Sequence, residues 1–171
     1  MLKLRSLAAV SLLALAACQP MGGGQQLGPD GQPIPVAYKI DAREAAAITP
    51  RVLGQINQLR ANIGAAPLAQ SQQLDAASVA HARDMSAQNR AWHFGSDGSS
   101  PLDRVQRAGY FGGLIGENIS ETYENDMVTL NAWMQNRETR DVVMDPRATQ
   151  LGMGWYQEQS GKIWWVLITG S

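Results

Sequence analysis

Leu53, Ile56, Leu59 and Ile63 recur at three- and four-residue spacing, which predicts a helix with one buried face. Thr49 reads as its N-cap, Pro50 as the first helical position, where a missing N–H does no harm, and Gly64 as its stop. A second helix is predicted from the Ser71 cap, with an inward stripe of Leu74, Ala77, Ser78, His81 and Met85. Residues 92–100 are dense in turn formers and read as a loop. Ser100-Pro101-Leu102-Asp103 has the form of a capping box and opens a short helix that Gly109 ends. Residues 114–120 read as a short strand, and Asn125 or Asp126 caps a helix whose face is Met127, Leu130, Trp133 and Met134. Residues 151–157 and 162–169 form a hairpin around the Ser160-Gly161 turn.

Trp155, Trp164, Trp165, Val166, Leu167 and Ile168 crowd that hairpin. So many large side chains need cover on both faces, so helices are expected on each side of the sheet. The fold class predicted is α+β, a three-layer α-β-α sandwich around a small antiparallel sheet. Residues 36–49 hold helix formers, Asp41-Ala42-Arg43-Glu44 among them, but too few large apolar residues to define a face.

The N-terminus departs from this pattern. Lys3 and Arg5 precede an apolar run from Leu7 to Ala17, too short for a permanent membrane span and shaped like a secretory leader. It ends in Leu15-Ala16-Ala17-Cys18, which resembles a bacterial lipobox. That resemblance implies a signal peptide over 1–17 and an acylated Cys18 that anchors the chain to a lipid bilayer. Two or three acyl chains hold a soluble domain firmly where one does not. Gln19 rather than Asp after Cys18 implies sorting to the outer membrane, facing the periplasm. Gly, Pro and Gln then dominate, so residues 18–40 read as the lipidated cysteine and a flexible linker, and 41–171 as the domain.

Composition narrows the function. Of 171 residues, 44% are hydrophobic and 17% charged, which suits a globular chain. Lys and Arg number 14 against 15 Asp and Glu, so there is no basic excess for a nucleic-acid backbone, and no nucleic-acid partner is expected. The single cysteine excludes an internal disulfide and a cysteine-rich zinc site.

Several segments together resemble one family. They are Ile56-Asn57-Gln58-Leu59-Arg60 with Ala66-Pro67-Leu68, then Ala80-His81-Ala82-Arg83-Asp84-Met85, then His93 with Asp97-Gly98-Ser99-Ser100-Pro101. Gly116-Glu117-Asn118-Ile119, Ala132-Trp133-Met134 and Leu151-Gly152-Met153-Gly154 complete the order. The chain from about Pro50 to Ser171 thus resembles the CAP or SCP domain of cysteine-rich secretory, antigen 5 and pathogenesis-related type 1 proteins. The resemblance implies an α-β-α sandwich with a central cavity, where many members set two histidines and two acidic residues that bind a divalent ion such as zinc. Carried onto this chain, the first His falls on His93 and the first Glu on Glu117. The second acidic position is Asn136 and the second His position is Thr139.

Two of the four groups are therefore missing, and one imidazole with one carboxylate holds zinc poorly. No cofactor is required on this reading. A weak divalent site at His93 and Glu117 needs further ligands, with Glu138 the neighbour to supply one. A direct hydrogen bond between His93 and Glu117 is the expectation, and His81, on an apolar stripe, is expected in the core. The favoured function is a non-catalytic, membrane-anchored module that binds a lipid, peptide or envelope component. The alternatives are a metal-assisted or His/Glu hydrolase of envelope material, with His93 and Glu117 as its acid–base pair, and a structural envelope protein. Against the hydrolase stand the missing ligands, the lack of a Gly-x-Ser-x-Gly elbow, and no cysteine besides Cys18.

Overall fold

The computed structural model describes residues 38–171. The signal segment, Cys18 and the linker to residue 37 lie outside them. Helix α1 (Ala42–Asn62) starts at an Asp41 cap that accepts from the Glu44 amide at 2.9 Å, eight residues before the expected Thr49 cap. Pro50 lies inside the helix rather than at its start. It is exposed, as is Ala46, whose carbonyl loses its usual partner, so water can reach the gap. Burial of Ile48 together with Val52 and Ile56 carries the helix through the proline. Tyr38 and Ile40, assigned to the linker by composition, pack on the body. Gln157 holds both, accepting from the Ile40 amide at 2.9 Å and donating to the Tyr38 carbonyl at 2.6 Å.

Strand β1 (Ala69–Gln70) leads into α2 (Gln72–Gln88), then α3 (Pro101–Arg107), β2 (Leu114–Thr122) and α4 (Asp126–Gln135). After these come α5 (Arg137–Met144), β3 (Gln150–Gln157) and β4 (Ile163–Gly170). Sequence periodicity missed α5 and β1. The sheet order is β1-β3-β4-β2. β3 and β4 form the expected antiparallel hairpin and β2 pairs antiparallel with β4, but β1 runs parallel to β3, so the sheet is mixed rather than purely antiparallel.

β4 is buried along its whole length, and strand alternation divides it between two cores. Ile163, Trp165 and Leu167 face α1, α4 and α5 through Ile48, Val52, Ile56, Leu130, Trp133 and Val143. Trp164, Val166 and Ile168 face α2 and α3 through Leu74, Ala77, Met85 and Val105. The result is the three-layer α-β-α sandwich. Its second interface needs glycine on β3. A Cβ at Gly152 would lie 2.2 Å from the Leu74 carbonyl carbon, and one at Gly154 2.2 Å from the Val79 nitrogen, so the backbone of α2 rests directly on the strand.

Candidate functional site

The site is built on β2, an edge strand whose side chains alternate between faces. Gly116, Asn118 and Ser120 face α4 and α5. A Cβ at Gly116 would meet Val142, Asn118 Nδ2 donates to the Thr139 carbonyl at 2.8 Å, and Ser120 Oγ accepts from Trp133 Nε1 at 2.9 Å. Glu117 therefore points the other way, toward α2 and α3. There its side chain is 2% exposed, and a carboxylate so buried needs a partner.

Arg104 is that partner. The capping box fixes the start of α3: the Asp103 amide donates to Ser100 Oγ at 3.2 Å and the Ser100 amide to Asp103 Oδ2 at 2.8 Å. One turn on, Arg104 sits beside Val105 on the buried face, 8% exposed. Its Nη2 donates to both Glu117 oxygens, at 2.9 and 2.7 Å. Its Nη1 donates to the His93 and Ser99 carbonyls, at 2.9 and 3.2 Å. One guanidinium thus ties β2 to two points of the loop that joins α2 to α3.

His93, half exposed, meets the same carboxylate, with Nδ1 2.9 Å from Glu117 Oε1. His81 is fully buried behind them on α2. Its Nε2 lies 2.9 Å from the Trp92 carbonyl, which only accepts, so this nitrogen carries the proton. At 3.9 Å the Glu117 oxygen is beyond hydrogen-bonding reach of His81. Burial pushes the His81 pKa down, against the pull of Glu117, and the ring is neutral. Its Nδ1 has no hydrogen-bond partner among the described residues.

The other sequence candidates lie elsewhere. Asn136 caps α5 by accepting from the Glu138 amide at 2.9 Å, and Thr139 Oγ1 donates to the Trp133 carbonyl at 2.7 Å. Both belong to the α4–α5 junction, and the β2 residue that bonds Thr139 is Asn118, whose side chain points opposite to Glu117. Glu138 is exposed on the first turn of α5. The structure joins His93 to Glu117 and brings neither Asn136 nor Thr139 into hydrogen-bonding contact with them. Sequence reasoning missed Arg104, although a signal existed. Arg104 shares the helical face of Pro101, Val105 and Ala108, so an arginine occupies an apolar-stripe position.

The donor set does not fit zinc. Glu117 Oε1 already accepts from both His93 and Arg104, which fills its two lone-pair sites, and Oε2 accepts from Arg104. A fixed guanidinium stands where a metal would need the carboxylate, and no group of three His, Cys, Asp or Glu suited to a metal ion occurs among the described residues. Beside the ion pair, the α2–α3 loop and the two helices enclose a groove of about 480 Å³ that Arg104 also lines.

This three-layer sandwich, with a histidine and a glutamate meeting at its edge strand, defines a class. The chain belongs to the CAP, or cysteine-rich secretory protein, family, whose model matches residues 53–169. It is 28% identical over 119 residues to the uncharacterized protein YkwD of Bacillus subtilis, and spans 46% of that relative's length. Among solved structures it is similar to an extracellular SCP-domain protein of Bacillus anthracis, with a TM-score of 0.68 at 20% identity over 78% of this chain and 44% of that one. An outer surface protein of Borrelia burgdorferi gives 0.62 at 16% identity over 79% of this chain and 98% of its own.

Proposed function

We propose that the protein is a lipid-anchored envelope module that binds a ligand without transforming it. The observation that carries this is the state of Glu117. A general base must meet a substrate proton with an accessible lone pair; here Oε1 accepts from His93 and Arg104, Oε2 accepts from Arg104, and the carboxylate is 2% exposed, so burial keeps it from a substrate. What His93, Glu117 and Arg104 do is hold one wall of an open groove in place.

The tether rests on the lipobox at Cys18, and the envelope location on the same leader. The similar proteins named extracellular in Bacillus anthracis and outer surface in Borrelia burgdorferi support that location. Among the described residues no helix is long and apolar enough to cross a membrane. Anchoring through acyl chains on Cys18, in the outer membrane facing the periplasm, accounts for attachment without one.

Native mass spectrometry of the chain after mild detergent extraction tests both parts. The expected species begins at Cys18, carries acyl mass there, and retains a non-covalent lipid, peptide or glycan companion. An unacylated Cys18 would sink the tether, and a domain without any companion would sink the binding role.

A further inference from the structure

Ala76, Ala80 and Asp84 stand four residues apart on α2, on one face of the helix. At 1.5 Å per residue the line is about 12 Å long, with the carboxylate at its far end. These residues line the groove of about 480 Å³, whose floor also takes in Ala77 and Ala108 and whose facing wall is the α2–α3 loop with Arg104 and Arg107. Methyl groups where longer side chains commonly stand leave a trench with an apolar floor.

Two cations, Arg104 and Arg107, and two carboxylates, Asp84 and Asp97, line the trench, and their pairing leaves Asp84 out. Arg104 is neutralised by Glu117, and Arg107 pairs with Asp97. Asp84 accepts only from neutral groups: the Ser96 amide at 2.8 Å, Ser96 Oγ at 2.6 Å and Gln88 Nε2 at 2.9 Å. Among the described residues no cationic side chain makes an ion pair with it. Its Oδ1 holds one hydrogen bond and keeps a lone pair. The half-buried carboxylate at the end of an alkyl-lined trench lacks a cation.

We infer that the groove takes a primary amine on an unbranched aliphatic stem, as in the lysine side chain of a short peptide. The methylenes lie over Ala76 and Ala80, and the ammonium reaches Asp84. An ammonium brings three donors and a compact charge, and its stem covers small apolar residues well. Deepening the binding-module reading, on which it rests, this inference names both the place and the ligand chemistry.

The test is a ¹⁵N–¹H titration of the full chain with Nα-acetyl-lysine methylamide, against Nα-acetyl-norleucine methylamide, which keeps the stem and lacks the amine. The lysine compound is expected to shift the Ala76, Ala80, Asp84 and Ser96 amides saturably. Affinity should fall about tenfold for the norleucine compound and for Asp84→Asn, the loss of one charge-assisted contact. Asp84→Asn also alters the anchoring of Ser96, so Ala80→Leu is the second variant. It fills the trench from an exposed helical position and should abolish binding with the fold intact. Absence of saturable shifts, equal binding of the norleucine compound, or undiminished binding to Ala80→Leu would overturn the inference. If lysine fails while extraction yields another bound companion, the binding module stands and this ligand class falls.

Discussion

At the scale of single residues, the site depends on one ion pair. Glu117 and Arg104 are each more than nine-tenths buried, so removing one partner leaves an uncompensated charge. Arg104→Met should destabilise the fold by about 3–5 kcal/mol, while Arg104→Met with Glu117→Leu recovers most of that loss, because the stranded carboxylate is gone. Urea unfolding of the four species closes the cycle, and additive losses would contradict the pairing. His81 adds a pH dependence. Burial holds its folded pKa below the ordinary histidine value of about 6.5, so in acid the unfolded chain binds a proton that the native chain refuses. Stability is therefore full above about pH 6.5 and falls as pH drops below it, toward the lower folded value. His81→Gln should flatten this component of the stability profile between pH 7.5 and 5.5, and an unchanged slope would show that other groups set it.

Elements differ in how legible they were. The N-caps and inward stripes located α2 and α4, the capping box located α3, and the aromatic hairpin located β3 and β4, because each carries a local signal of its own. α1 began earlier than its pattern, since the burial of Ile48 and the pairing of Arg51 with Asp126 at 2.8 Å are long-range facts. α5 has only Val143 fully turned inward, too little to mark a face. β1 is two residues long and exists through its pairing with β3. A comparable long-range device sits at Arg60. This buried cation donates to the carbonyls of Ala66, Val143, Asp145 and Ala148 at 2.8–3.0 Å, fastening the α5–β3 connection to α1. Arg60→Met should cost about 3 kcal/mol or more, since several buried acceptors lose their donor together. Hydrogen exchange should quicken first in residues 143–149, and uniform quickening across the chain would contradict this role.

For the whole molecule, the sandwich was readable because β4 has large residues at every position from Ile163 to Ile168, which only a two-sided core accommodates. The site was half readable. His93 and Glu117 stood out by chemistry, and their meeting follows from the loop and the edge strand. Asn136 and Thr139 did not join them, because β2 alternates and the α4–α5 junction lies across its other face. Arg104 escaped notice since an arginine on a short helix ordinarily faces water. With it in place, the charge of Glu117 is balanced by a guanidinium. Calorimetric titration of the purified chain with Zn²⁺ asks this most directly. A closed Glu117–Arg104–His93 cluster predicts no saturable binding in the micromolar range, whereas submicromolar binding abolished by His93→Ala would contradict it.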